Sequence, residues 1–414
     1  MNPNEITPHL FRTEYSKIVA VLCKKFDIKH IEIAEDIASE TFLKASEYWA
    51  ANGLPENPTA WLYTVARNKA KDYFKHLSVI EKNIGEEFKT TRTEQQSIIE
   101  FDIQNISDSQ LEMIFSVCNP VNSQETQICL ALQILCGFGV EEIANAFLSK
   151  TETIKKRLQR GRESLRNHHF KLDILHENDI LSRLDTVLTT LYLLFNEGYF
   201  SKTNNLLIRK DLCLEAIRLI LILTDNPLTN TPKTNALLAL MCFQSSRLEA
   251  RLNHEGEVIL FDEQDESLWD QALIEKGNYY LIQACSTNTT DISKFHIEAA
   301  IAYWHTTSTN TDKWSHILDL YNQLVLMEYS PITALNRTFA FSKVYGNKKA
   351  IPEAESLSLT EHEYYHGLLG YLYAKINKDK AICHFEEAIK ITKSKTEKQT
   401  LQRQINHLKE TDTL

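Results

Sequence analysis

An all-α protein of several domains is what this sequence predicts, on three observations. Glycine and proline are scarce, 11 and 9 in 414 residues, which suits long helices with short connections better than sheets that turn every few residues. Apolar residues recur at helical spacing in almost every segment outside a few polar stretches. The chain also exceeds a single hydrophobic core, so its length points to about two to three domains.

The segments follow in order. Residues 7–76 read as helices interrupted by a loop at residues 52–58, and residues 1–76 are taken as the first domain. Residues 77–107 are polar with little periodicity and read as a linker. Residues 108–172 form a compact helical block, the second domain. From residue 179 to 414 helix follows helix, with a loop-like stretch at 249–265.

Composition narrows the function. Apolar residues make up 43% and charged residues 24%, as in ordinary soluble domains. The net charge of -10 argues, taken as a total, against a nucleic-acid binder. Residues 1–22 lack the basic start, apolar run and cleavage site of a signal peptide. The densest apolar run, Leu219 to Leu223, is too short to cross a bilayer, so a cytoplasmic protein with no membrane partner is expected. The eight cysteines contain no CxxC pair and read as reduced, buried hydrophobes. His168 and His169 have no companion cysteines, so no metal is expected. Phosphate-binding glycine loops, nucleophile elbows and HExxH are missing, and neither enzymatic activity nor a cofactor is expected.

The strongest local pattern lies at residues 124–166. Residues 126–135 (TQICLALQIL) form an apolar helix that Gly137 can end. Residues 140–147 (VEEIANAF) form a short second helix with Ile143 and Ala144 inward, and Leu148, Ser149 and Lys150 make a tight turn. Thr151 suits the N-cap of a third helix, TETIKKRLQRGRESLR. There Ile154, Leu158 and Leu165 form a narrow apolar stripe, while Lys155, Lys156, Arg157, Arg160, Arg162 and Arg166 cover the rest. A short helix, a tight turn and a basic helix packed on one face is the geometry that enters the DNA major groove. Thr151, Glu152, Thr153, Lys155 and Lys156 then lie nearest base edges, while the arginines further along the helix, Arg157, Arg160 and Arg162 beside Gln159, neutralise phosphates. The bland alternative is a solvated basic helix.

A second signal lies upstream. AEDIASETFLKA (residues 34–45) is amphipathic, with Ile33, Ile37, Ala38 and Phe42 on its packed side. PTAWLYTVARNKAKDYFK (residues 58–75) places Arg67, Lys71 and Lys75 at i, i+4 and i+8, with Trp61, Tyr63, Tyr73 and Phe74 alongside. Cations beside rings suit opened DNA, since rings stack on unpaired bases; the alternative is that the rings are core.

These segments resemble the extracytoplasmic-function sigma factors of bacterial RNA polymerase. AEDIASETFLKA is similar to their polymerase-binding helix, PTAWLYTVARNKAKDYFK to their promoter-melting helix, and ETIKKRLQRGRESLR to the recognition helix of their second DNA-binding domain. Ser39 stands where the family often carries glutamine. DSQLEMIFSVCNP, TVLTTLYLLFNEGY, ILFDEQDESLWDQALI and SPITALNR resemble the subfamily with a long helical C-terminal extension, so that the likeness covers nearly the whole chain.

The resemblance implies that core RNA polymerase and promoter DNA are the partners. Asp36, Glu40 and Phe42 are then expected at the polymerase, and Asn57, Trp61, Arg67, Asn68, Lys71 and Lys75 at the melted minus-ten strand. Thr151 to Arg162 are expected to read the minus-thirty-five element.

Residues 364–390 fit the tetratricopeptide pattern through Leu369, Gly370, Tyr373, Ala381, Phe385 and Ala388, with a weaker copy at 334–357, so the extension is expected to be tetratricopeptide-like from about residue 330. It is expected to modulate activity, by binding the N-terminal domains, the polymerase or a regulatory protein. In the acidic stretch DEQDESLW, a solvated loop anchored by Trp269 is expected rather than catalytic carboxylates at Asp262 and Glu263. The rival reading is a stand-alone helix-turn-helix regulator that binds duplex DNA without polymerase and carries a partner-binding helical domain.

Overall fold

Short polar side chains open the helices of this protein. Asp102, Ser123, Thr231, Asp270, Ser330 and Asn377 each accept a hydrogen bond from a backbone N–H of the first turn, which satisfies a donor the helix itself cannot. Pro232 and Pro331 occupy first-turn positions, where a missing N–H costs nothing. Gly53 and Gly346 follow helix ends with φ of 81° and 87°, backbone that glycine adopts without strain.

The computed structural model describes residues 3–26, 30–84, 99–147, 149–167, 177–199, 209–251, 259, 263–286, 291–307, 312–392 and 395–410. Among the described residues there are 18 α-helices and no strand, so the architecture is all-α. The chain divides within one helix, Glu177–Tyr199, into two compact units, Met1–Leu193 and Leu194–Leu414. No helix among the described residues is long and apolar enough to cross a membrane.

The first unit is built on α1 (Pro3–Phe26), which packs against α2 (Ile31–Asn52), α3 (Pro58–Ile84) and α4 (Ile103–Val117). Ile18 and Leu22 of α1, Trp49 of α2, Leu62 of α3 and Phe115 of α4 are fully buried. Segments expected to lie in separate domains thus share one unit, because α1 offers apolar surface to both. A Lys24–Glu112 ion pair at 3.1 Å joins α1 to α4 beside that contact. α3 continues to Ile84 and α4 begins at Ile103, so both ends of the expected linker are helical; its middle, residues 85–98, lies outside the described residues.

The expected helix-turn-helix follows as α5 (Gln124–Leu130), which passes into a π-helical turn at Ala131–Leu135, then α6 (Val140–Ala146) and α7 (Thr151–Asn167). Gly137 takes a φ of 71° after the π-turn, and a Cβ there would touch Phe11 and Tyr15 of α1 at 3.4 Å. Ile143 and Ala144 are buried. α7 begins at Thr151 itself, and the Lys150 carbonyl accepts from the N–H groups of Thr153 and Ile154. Thr151 therefore lies one residue inside the position expected of a cap. Leu148 and the pair His168–His169 lie outside the described residues. α8 (Glu177–Tyr199) follows.

In the second unit most helices pack chiefly on their neighbours in sequence. The helices are α9 (Lys210–Thr224), α10 (Pro232–Ser245), α11 (Gln271–Cys285), α12 (Lys294–Thr306), α13 (Lys313–Met327), α14 (Pro331–Tyr345), α15 (Asn347–Ser356), α16 (Glu363–Tyr373), α17 (Lys378–Ile391) and α18 (Lys395–Glu410). Bare glycines set the closest approaches. A Cβ on Gly277 of α11 would lie 2.7 Å from the Phe243 ring of α10, and one on Gly370 of α16 would lie 2.5 Å from the Phe385 ring of α17. Trp269 is buried, Glu263 pairs with Arg403 at 3.0 Å, and Asp262 lies outside the described residues. Six cysteines are buried, while Cys285 and Cys383 are exposed; all eight are free thiols.

Two glycines of the same helix make opposite predictions. In a helix interior alanine is favoured over glycine by about 1 kcal/mol, while overpacking a filled core costs about 1–3 kcal/mol. Gly370→Ala meets the buried Phe385 ring, so packing decides and the urea midpoint of the chain falls. At Gly367 a Cβ meets open space, so propensity decides and Gly367→Ala leaves the midpoint unchanged or raises it. Parallel urea titrations of the two variants check both signs.

Candidate polymerase and nucleic-acid interface

The sequence of α2 places Ile31, Ala34, Ile37, Ala38, Thr41, Phe42, Ala45 and Trp49 on one buried stripe. The opposite face carries Glu32, Glu35, Asp36 and Glu40. Asp36 and Glu40 are exposed, and Glu40 pairs with Lys69 of α3 at 2.5 Å. Phe42 lies on the packed side of α2, as its spacing predicts, and not on the surface that a polymerase contact would use. It is buried and meets the Phe11 ring edge-on at 5.0 Å, so it holds α2 from inside rather than offering a surface.

The loop after α2 delivers the start of α3. Asn57 caps it, its Oδ1 accepting from the Ala60 N–H at 3.0 Å. Trp61, half-buried, stacks on Tyr48 of α2 with centroids 5.6 Å apart and rests against Trp49. Tyr48 is 48% exposed, so Tyr48 and Trp61 make an aromatic step open to solvent. Tyr48 escaped the sequence reading because it lies on α2, away from the basic helix in sequence.

The other rings beside the basic ridge are occupied. Tyr63 stacks on Phe101 at 4.7 Å and donates its hydroxyl to Glu14; burial first, then that carboxylate, pushes the phenol's pKa up. Tyr73 and Phe74 both pack on Phe26. All four rings beside the ridge, Trp61 included, are half-buried and pack on neighbouring rings. Along the ridge Asn68, Lys71 and Lys75 are exposed, while Arg67 is half-buried and donates from Nε to the Ile99 carbonyl at 2.9 Å.

α7 shows three faces. Ile154, Leu158, Gly161 and Leu165 are buried. A Cβ on Gly161 would lie 2.6 Å from Thr126 Cγ2, so α7 crosses α5 at the one residue that permits it. Thr153, Lys155, Lys156, Gln159 and Arg160 are exposed on the outer face; Thr151 and Arg157 are half-buried. Lys155 pairs with Glu152 at 3.2 Å within the helix.

The third face turns toward α2. Arg162 donates from both terminal nitrogens to the two carboxylate oxygens of Glu35, each at 2.7 Å, and to Gln133 Oε1 at 2.9 Å. Arg166 donates to Glu32 at 2.8 Å. Burial alone would lower the pKa of the Arg162 guanidinium, yet the hydrogen bond and charge of Glu35, with Glu32, more than offset it and the pKa is raised. Arg162, expected on DNA, is thus held between carboxylates. Periodicity marked it as polar but could not say which polar partner it meets.

Three comparisons bear on this arrangement. Residues 10–78 match the family Sigma-70 region 2, which takes in most of α1, all of α2 and most of α3. Residues 183–285 match a family of unknown function, DUF6596. An uncharacterized protein of Rhizobium meliloti (strain 1021) is 30% identical over 387 residues, 92% of this chain and 91% of the relative. No solved structure matches the chain. A sigma-70 region 2 implies association with core RNA polymerase and promoter DNA. With that region in place on α2 and α3, and a helical region behind it, the chain belongs to the extracytoplasmic-function-like sigma factors that carry a helical C-terminal extension.

Proposed function

We propose that this protein directs core RNA polymerase to promoters bearing two spaced elements. In this reading Asp36 and Glu40 on α2 meet the polymerase, with Phe42 supporting them from the core. Asn57, Trp61, Arg67, Asn68, Lys71 and Lys75 handle the opened minus-ten strand. Thr151, Thr153, Lys155, Lys156, Arg157, Gln159 and Arg160 serve the upstream element, joined by Arg162 once its carboxylate partners are displaced. The observation that carries the reading is the outer face of α7, where Thr153, Lys156, Gln159 and Arg160 are exposed opposite a fully buried stripe.

The domain limits follow the same division of labour. Residues 1–76 bear the polymerase and minus-ten contacts and residues 108–172 the helix-turn-helix, both inside the first compact unit. The extension from residue 179 onward modulates the outcome. Its α14–α15 and α16–α17 pairs are read as tetratricopeptide-like, because Gly370 and the buried Ala381, Phe385 and Ala388 lie where that pattern needs small and aromatic residues. The protein performs no catalysis of its own; polymerase supplies the chemistry and this subunit the choice of start site.

Transcription in vitro from a promoter library, with the protein added to sigma-free core polymerase, yields start sites that share two motifs. Lys156→Ala relaxes selection at one upstream position, through loss of a direct base contact that discriminates by about 1–3 kcal/mol. Lys71→Ala impairs strand opening more than initial binding, read by permanganate footprinting of the promoter. Tight, sequence-specific duplex binding without any polymerase-dependent transcript favours the stand-alone regulator instead. A chain ending at Leu193 changes transcript yield or promoter choice relative to the full chain; identical output from both removes the modulating role of the extension.

A further inference from the structure

Positive charge gathers at one place inside the second unit. Tyr199, the last residue of α8, is buried and stacks on Phe195 with centroids 5.7 Å apart. Two guanidinium groups converge on it from the turns that follow α10. Arg247 donates to the Tyr199 hydroxyl at 3.3 Å. Arg251 lies 4.0 Å over the same ring and donates to the Tyr199 carbonyl at 2.9 Å. Burial alone would raise the pKa of this phenol, yet the charges of Arg251 and Arg247 more than offset it and the pKa is lowered. The potential at the Tyr199 oxygen is therefore positive.

Neighbours on α12 and α13 extend this point into a recess. His305 and Tyr321 are each half-buried, so water reaches part of each ring. Both are nevertheless surrounded closely by protein. Burial, then Arg247 and Lys313, pushes the His305 imidazole down to about 3, while burial, then Glu298, pushes the Tyr321 phenol up. Solvent contact and strong desolvation coexist where a side chain lines a concavity instead of a convex surface. Arg247 and Arg251 are half-buried as well. Arg247 acts on Tyr199, His305 and Tyr321 alike, which puts it at the centre of the group. The Lys313 ammonium stands at the far side of His305, donating to the carbonyls of His305 and Thr307 at 3.4 and 3.2 Å. Among the described residues, the charged groups that act on these three rings are Arg247, Arg251 and Lys313 against the carboxylate of Glu298. Cations thus outnumber anions there, although the whole chain is acidic.

We propose that Tyr199, Arg247, Arg251, His305 and Tyr321 form a binding site for a small organic anion, one that carries a carboxylate or phosphate group. A guanidinium fork matches the paired oxygens of either group. His305 is neutral at pH 7, and with the two phenols it supplies hydrogen bonds that need no counter-charge. The cations crowd around one tyrosine instead of recurring along the helical array, which suits a compact ligand and not an extended acidic chain. All five residues belong to the second unit, so the site stands whether or not α7 reads DNA.

The test uses the full chain, freed of phosphate and carboxylate buffers and titrated calorimetrically with sodium phosphate and, separately, with sodium succinate. Ionic strength is held constant with sodium chloride, so that general screening contributes nothing to the difference. At least one probe binds saturably, and the contrast between the two tells phosphate from carboxylate as the preferred group. Arg247→Gln weakens that binding about tenfold or more, as loss of a charge-assisted hydrogen bond does. Lys348→Gln, exposed on α15, removes a charge elsewhere and binds as the wild type does. Circular dichroism verifies the fold of each variant. Should Arg247→Gln fail to fold, Arg247→Lys keeps the cation and loses the fork, and weakens binding by a smaller factor. Saturable binding that the folded Arg247 variants leave unchanged overturns the site, and so does the lack of saturable binding of either probe to the wild type.

Discussion

Gly161 governs the geometry of the N-terminal unit. Its missing Cβ lets α7 cross α5 so closely that the Asn122 side chain reaches the Gly161 carbonyl at 3.2 Å and Thr126 fills the space a methyl would take. Once that crossing is set, the neighbouring residues have no freedom about where they point. Successive positions on a helix turn by about 100°, so the next residue, Arg162, faces sideways, toward Gln133 and Glu35. Residues 156 and 160 face outward to solvent. One bare position therefore decides which cations of α7 remain available and which are consumed.

Electrostatics and packing divide the candidate surface between them. The whole chain is acidic, with 55 acidic against 45 basic residues, yet total charge decides little when a helix concentrates cations on two of its faces. Packing then subtracts from that local excess. Arg67 gives its Nε to a backbone carbonyl, and Tyr63, Tyr73 and Phe74 give their rings to Phe101 and Phe26. What is left open on α3 is narrower than the amphipathic pattern promises: Asn68, Lys71, Lys75 and the step formed by Trp61 on Tyr48.

The second unit obeys the same packing rule with different content. Its helices touch mainly their neighbours in sequence, and at two crossings a glycine faces a phenylalanine ring, Gly277 on Phe243 and Gly370 on Phe385. A ring laid on bare backbone brings two helix axes close while keeping the interior filled. Polar groups are placed at the edges of that array. His366 and His384 share a hydrogen bond at 3.1 Å, and the Tyr373 hydroxyl donates to Glu355 at 2.7 Å. Burial, then the adjacent His366, pushes the pKa of His384 down.

The all-α architecture, the short second helix with Ile143 and Ala144 inward, the buried stripe Ile154–Leu158–Leu165 and the buried Trp269 were legible in the sequence. Each rests on local chemistry: scarce breakers, capping residues and a 3.6-residue period that separates wet from dry faces. The exposure of Asp36, Glu40, Lys71 and Arg160 follows from the same periodicity. The pairing of Trp61 with Tyr48, the grouping of residues 1–193 in one compact unit and the commitment of Arg162 to Glu35 were not legible. Periodicity assigns a residue to a face of its own helix and is silent on what that face meets. Glu35 and Arg162 are separated by 127 positions, and only the close crossing at Gly161, together with the apolar packing of α1, brings their charges within reach of each other.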